Sequence, residues 1–284
     1  MRDRQRVAVV AALAVVAGAF AALTSARHGF FDLKVYYGAV NYWVHDGGEI
    51  YDFLQANTRY GFTYPPFAAF LMLPMAYVGW HTAIGLSVAA AVVTTGLVLW
   101  WLVDPIARRQ RWTRWFAFAV ACCLAIAFEP IRETVNFGQV NTLLLFLVAA
   151  DLLWLVARGS RFAGIGVGLA TAVKLTPGIF VLYLLVTGRW RAAAVATGTA
   201  AAAALAAAAL APDASREFWT QAIWNTDRVG SLSFVSNQSL RGVVARLDPE
   251  QPNTLAWLVL VAAAVGFWVW GARAAARQRP VTRR

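Results

Sequence analysis

Charge is scarce in this chain. Only 14% of its 284 residues are Asp, Glu, Lys or Arg, while 60% are hydrophobic. Soluble domains carry about a quarter charged residues, so the low charge excludes that class, in keeping with a mean hydropathy of +0.57. Cysteine is nearly absent: Cys122 and Cys123 stand side by side in an apolar run. There they read as small hydrophobes, with no disulfide framework and no thiolate chemistry. The three histidines, His28, His45 and His81, are scattered without metal-ligand spacing, so no metal is suggested. A Walker A loop, a GxGxxG between strand and helix, an HExxH and a CxxC are all missing. No room is left for a soluble nucleotide-binding domain, and no cofactor is implied. Any reaction has to use membrane-borne or outer-face substrates.

What the sequence does have is continuous apolar runs. They recur along the whole length, and a helix needs about 20 such residues to cross a bilayer. An outer-membrane barrel would show alternating segments of about 10 residues; these runs do not alternate, so helices are expected. Candidate spans are 7–25, 82–103, 115–129, 139–157, 192–211 and 253–271. The fold class is therefore all-α, a polytopic transmembrane bundle. The N-terminal segment has the basic head, apolar body and small-residue end (Thr24-Ser25-Ala26) of a signal peptide. Since the rest of the chain is also a membrane bundle, it is read as an uncleaved first helix. The Ala-rich run 192–211 suits close helix packing in lipid.

A net charge of +11 could signal nucleic acid, but its distribution excludes that partner. The basic residues cluster in short breaks, "MRDRQR", "RRQRWTR" (108–114), "ARGSR" (157–161), "GRWR" (188–191) and the tail from Arg273. This is the positive-inside pattern. Segments 26–64 and 212–252 are balanced and read as outer loops, with both termini cytoplasmic. That arrangement needs 65–79 to lie along or re-enter the outer face. It also needs 162–186, interrupted by Lys174 and Pro177, to be two half-helices returning to the side they left. An alternative in which both stretches cross puts two basic breaks outside. The organisation expected is one membrane domain over 1–284, with a basic cytoplasmic tail at 272–284.

Polar residues in the outer segments are the candidates for chemistry. Asp32 stands in "GFFDLKVYYGA", between aromatics and just after the first apolar segment. It is either the N-cap of a juxtamembrane helix over 33–45 or a functional carboxylate at the membrane surface; the two are compatible. Leu33, Tyr36, Tyr37, Val40 and Trp43 would face lipid or core. "NFGQVN" (136–141) reads as a capped helix start or part of a site. Lys174 in "AVKLTPG" calls for an anionic partner, a lipid-linked phosphate being one, or snorkels to an interface. "SNQSLRG" (236–242) reads as a capped short helix or as donors for a polar ligand.

Six stretches in order, "FFDLKVYYGA", "GGEIYDF", "YGFTYPPFAAFLMLP", "NFGQVNTLLLFLVAADLL", "GIGVGLATAVKLTPGIF" and "SNQSLRG", resemble glycosyltransferase family 87. These are actinobacterial membrane mannosyltransferases of the GT-C superfamily that use polyprenyl-phosphate-mannose. The resemblance implies a GT-C-like bundle whose first outer loop is catalytic and carries juxtamembrane helices. It implies mannose transfer from polyprenyl-phosphate-mannose, with inversion and an α-(1→2) linkage, to a lipid-linked mannoside. That glycolipid acceptor would be a phosphatidylinositol mannoside, lipomannan or lipoarabinomannan. By motif position the essential acid is Asp32. One inverting displacement needs one base for the acceptor hydroxyl, and a phosphate leaving group needs no paired acid. Lys174 and Arg241 are then the candidates for the donor phosphate. Tyr36, Tyr64, Gln139, Asn141, Asn237 and Gln238 are those for sugars and acceptor. The family also carries a later segment resembling Ser-Pro-x-Ser-Trp-x-His-His, and no histidine follows His81 here. The chain is thus expected to lack the family's C-terminal part. Transfer of another lipid-linked sugar such as arabinofuranose, a lipid or sugar transporter, and an inactive truncated homologue stay open as alternatives.

Overall fold

A computed structural model describes residues 2–24, 28–225, 231–235 and 237–277. Ser25 and Ala26 of the signal-like end, residues 226–230 and Ser236 of the second loop, and residues 278–284 of the tail lie outside the described residues. The helices are α1 (Asp3–Thr24), α2 (Phe31–His45), α3 (Pro66–Met72), α4 (Trp80–Arg109), α5 (Arg114–Ala127), α6 (Glu129–Phe137), α7 (Asn141–Ala150), α8 (Ile165–Val173), α9 (Ile179–Val186), α10 (Trp190–Leu210), α11 (Pro212–Glu217), α12 (Leu240–Leu247) and α13 (Thr254–Arg277). Among the described residues there is no strand, and the only extended pairing is an isolated bridge, Leu54 with Gly61.

By length and composition α1, α4, α10 and α13 are able to cross a membrane, and the pair α5–α6, bent by 64°, makes a fifth if it is one span. The protein is an integral membrane protein of all-α class. Six spans were expected from the sequence, and the difference has two causes. Pro130, the second residue of α6, cannot donate to the turn before it, so the helix breaks at Phe128. The run expected at 139–157 is helical only over Asn141–Val156, shorter than the ~20 residues a crossing takes. Its last turn, Asp151–Val156, is π-helical. Most of α1 and all of α13 lack buried residues apart from Ala17, as befits surfaces covered by acyl chains rather than protein.

The chain divides into two compact units, residues 1–50 with 69–154 and residues 51–68 with 155–284. In the first, α1 packs on α5, and α4 packs on α5 and α7. Arg6 at the start of α1 and Arg111 after α4 line one groove, so these two basic breaks share one end of the unit. Toward the other end of α1, the guanidinium of Arg132 on α6 lies 5.4 Å from the ring centroid of Phe20. Arg6 and Phe20 are separated by about 21 Å of helix. Helix α1 therefore runs from the Arg6 end of this unit to the other, and α4 runs back to it.

In the second unit small residues set the packing. A Cβ on Gly164 would stand 2.1 Å from the Ala192 carbonyl oxygen, and one on Gly168 would stand 2.5 Å from that of Ala196. The matching four-residue steps make α8 parallel to α10 and in backbone contact with it. Helix α9 is joined to α10 by a short turn through Gly188 and packs against it, so α9 runs the opposite way. The segment 165–186 thus returns to the end it left, as the two half-helices expected from the sequence. Arg189 donates to the Val156 carbonyl at 3.1 Å, which brings the breaks 157–161 and 188–191 to that same end.

Replacing Gly168 by Leu should cost about 1–3 kcal/mol through overpacking, whereas Leu at Gly198, with open space around it, should not. Thermal unfolding midpoints of the two variants in detergent check this; equal midpoints would remove the α8–α10 contact as the cause.

Candidate active site

The site in the first unit starts with how α6 ends. Gly138 has φ +69°, its N–H donates to the Val135 carbonyl at 3.1 Å, and the N–H of Gln139 donates to that of Thr134 at 2.8 Å. This pair of bonds is a Schellman closure. "NFGQVN" is therefore a helix end and the next helix start, not a start alone. The left-handed turn also lets the backbone approach α2, because a Cβ on Gly138 would lie 2.6 Å from the Cβ of Leu33. With Leu33 seated there, the carboxylate of Asp32 accepts a hydrogen bond from the Gln139 side-chain amide through Oδ2. Gln139 Oε1 in turn accepts from the Asn141 amide at 2.6 Å. Asn141 is the first residue of α7, so three residues from two helices and one turn form a directed relay ending on the carboxylate.

Asp32 is not the N-cap that the sequence left open. The cap position is Phe30, at φ 58°, and Asp32 lies in the first turn of α2, where a carboxylate is favoured by the helix dipole. A second set of bonds, which the sequence reading missed, holds that turn in place. The Phe30 N–H donates to the Asn136 carbonyl at 3.0 Å. His28 stacks on Phe137 with centroids 3.9 Å apart, and its Nε2 is 3.1 Å from a Glu133 carboxylate oxygen. Nothing in the local pattern around His28 separates it from a scattered histidine; its partner is more than 100 residues away. Tyr36, one turn beyond Asp32, is buried with Leu33, Val35, Ala39 and Val40, so this face of α2 meets protein rather than lipid.

The second unit holds the other candidates. Lys174 follows the last residue of α8 in extended conformation (φ −148°, ψ 131°). Its ammonium donates to the Tyr64 hydroxyl at 3.3 Å and lies 5.2 Å from that ring's centroid, a cation–π distance. Tyr64 is itself placed by Tyr51, whose hydroxyl donates to the Tyr64 carbonyl at 2.7 Å. Tyr51 is packed between Phe62 and Phe218. Burial, and then the negative charge of Glu217, pushes the Tyr51 phenol up, so it stays a donor.

Residues 237–241 form a local structure. Ser239 caps α12 by accepting from the Gly242 N–H, and Asn237 Oδ1 accepts from the Ser239 hydroxyl at 2.7 Å. Gln238 donates to the Val235 carbonyl at 2.8 Å. Arg241 is exposed and its guanidinium is 4.8 Å from the Trp257 ring centroid. The structure thus brings together Asp32, Gln139 and Asn141 in one unit, and Tyr64 with Lys174 in the other. Placing Ala at Gly138 should cost about 1–2 kcal/mol for the left-handed backbone alone, more with the Leu33 contact. It should also raise amide exchange across 30–36; unchanged exchange there would separate the turn from the placement of Asp32.

The chain matches glycosyltransferase family 87 over residues 62–284. It is 35% identical over 87% of its length to a Mycolicibacterium smegmatis protein named polyprenol-phosphate-mannose-dependent α-(1-2)-phosphatidylinositol mannoside mannosyltransferase, covering 59% of that relative. It is 31% identical to a Mycobacterium tuberculosis protein of the same name, over 85% of the chain and 60% of the relative. A Corynebacterium glutamicum α-(1->3)-arabinofuranosyltransferase is 25% identical over 78% of the chain and 50% of that protein. No solved structure matches the chain significantly. The chain spans about 60% of the length of the first two relatives, and Asp32 precedes the family match. With more than half of its residues matched, and with relatives above 30% identity over most of its length, the chain belongs to glycosyltransferase family 87.

Proposed function

We propose that the protein is a membrane hexosyltransferase that moves mannose from polyprenyl-phosphate-mannose onto a phosphatidylinositol mannoside or related lipid-linked mannoside, with inversion and an α-(1→2) linkage. The observation that carries this reading is the Asp32 carboxylate oriented by the Gln139–Asn141 relay. It lies at the end of the first unit away from Arg6 and Arg111. The positive-inside tendency assigns the arginine end to the cytoplasm and leaves Asp32 on the outer face of the plasma membrane, with both termini inside.

The reaction then needs one base. Asp32 takes the proton of the acceptor hydroxyl while the hydroxyl oxygen attacks the anomeric carbon; the bond from that carbon to the phosphate oxygen breaks, and the phosphate leaves with the electron pair. A phosphate is a good leaving anion, so no general acid is required. Cations that stabilise its charge are, and Lys174 and Arg241 are assigned to it. Tyr64, which holds the Lys174 ammonium, together with Tyr36, Asn237 and Gln238, is assigned to sugar and acceptor contacts. Gln139 and Asn141 combine such contacts with orienting the base. A second reading, transfer of arabinofuranose, is favoured only by the Corynebacterium relative.

The test is transfer from radiolabelled polyprenyl-phosphate-mannose to a lipid mannoside in membranes carrying this chain. Asp32→Asn should lower transfer about 10²–10⁴-fold, the worth of a general base. Lys174→Gln should lower kcat and kcat/KM together, because the charge it is assigned to stabilise develops in the transition state. Transfer that survives Asp32→Asn would overturn the assigned base, and transfer from an arabinofuranosyl donor alone would favour the second reading.

A further inference from the structure

A groove opens between α1, the end of α4 and α5, with a volume of about 620 Å³, inside the roughly 300–1,000 Å³ range of ligand pockets. Its rim is basic and its wall apolar. Arg111 and Trp112 stand at one end, Arg6 lines the groove from α1, and Phe116, Val120 and Leu124 continue along α5. Trp112 and Leu124 are 58% and 62% exposed, so the wall is open rather than filled by neighbouring side chains.

The arginines around this rim do not all have the same job. Asp104 binds Arg108 at 2.8 Å and also pairs with Arg114, closing the turn between α4 and α5. Arg6 pairs with Asp3, whose side chain is 80% exposed, a pairing that water weakens. Arg111 takes part in none of the ion pairs among the described residues. It has φ 56°, a left-handed conformation that glycine adopts freely and a residue with a Cβ does not. At this turn the Trp112 N–H donates to the Ala107 carbonyl at 2.8 Å, a closure for which glycine is the usual residue. The sequence segments 1–6 and 108–114 supply seven arginines at this end of the unit, against Asp3 and Asp104.

We infer that this groove is a binding site for one glycerophospholipid with an anionic headgroup, distinct from the Asp32 site at the opposite end of α1. The headgroup sits between Arg6 and Arg111, with Trp112 at the interface where aromatic rings are favoured. One acyl chain lies along Phe116, Val120 and Leu124. Charge complementarity selects the anionic headgroup, since a flat apolar helix face would take any lipid.

Native mass spectrometry of the purified full chain, released from detergent with phosphatidylglycerol or phosphatidylcholine of the same acyl chains, tests this without any transfer assay. One phosphatidylglycerol is expected to remain bound and phosphatidylcholine to be lost. Removing an arginine should weaken retention about fivefold each. The variants are Arg111→Gly, which relieves the backbone and keeps the turn, and Arg6→Gln. Arg111→Lys should retain the lipid, and Ala117→Trp, which fills the groove, should displace it. Equal retention of both lipids overturns the site, as does a double variant that holds phosphatidylglycerol like the parent. Retention that Ala117→Trp leaves unchanged overturns the acyl-chain placement.

Discussion

Gly138 takes a left-handed conformation that ends α6 and lets α7 begin at Asn141, and the surroundings of Asp32 depend on that reversal. Its missing side chain admits Leu33, which fixes how closely α2 approaches. Its closure bonds aim Gln139 back at the carboxylate. With a side chain at 138, the α6–α2 distance, the amide direction and the relay to Asn141 would change together, because one turn sets all three. The bonds at His28, Glu133 and Phe30 then hold the first turn of α2 against the same short helix.

The bilayer imposes the second constraint. Backbone groups inside lipid must find partners within the protein, so a chain break at membrane depth needs surrounding protein. The break at Lys174 follows a half-helix set against α10 with no side-chain layer between, since Gly164 and Gly168 meet the backbone at Ala192 and Ala196. An ammonium inside an apolar stretch is expensive to insert into lipid. Tyr64 supplies both a hydroxyl acceptor and a ring face to it, and Tyr51 fixes Tyr64 through its carbonyl. The aromatic loop from Tyr51 to Tyr64 is therefore part of how the lysine is tolerated.

The sequence carried the class and much of the layout, because both follow from local signals. Apolar runs and arginine-rich breaks are read residue by residue. They led to helices, one of them over 33–45, and to a broken stretch at 162–186, and the structure contains helices at these places. The number of long spans was less legible, since α5 bends into α6 at Phe128 ahead of Pro130 and the helix from Asn141 to Val156 is too short to count as a full span. Within the site, Asp32, Gln139 and Asn141 were each visible as polar residues in apolar surroundings. That they bond to one another was not, because Asp32 and Gln139 are 107 residues apart. His28 and Tyr51 act through tertiary contacts alone and left no pattern to find.

In the proposed reaction a lone carboxylate would suffice, for a reason rooted in the leaving group. Hydrolysis of a glycoside expels an alkoxide and needs an acid to protonate it as well as a second carboxylate. A lipid-linked phosphate leaves as a stabilised anion, so the demand shifts from proton donation to cation placement. In this chain a carboxylate oriented by amides occurs in one unit, and an ammonium set on a tyrosine occurs in the other. Under the proposed transfer the carboxylate would accept the proton and a cation would receive the negative charge. The amide relay serves the same end, since Gln139 and Asn141 orient the carboxylate without adding a titrating group beside it. A carboxylate neighbour in their place would raise the pKa of one of the pair.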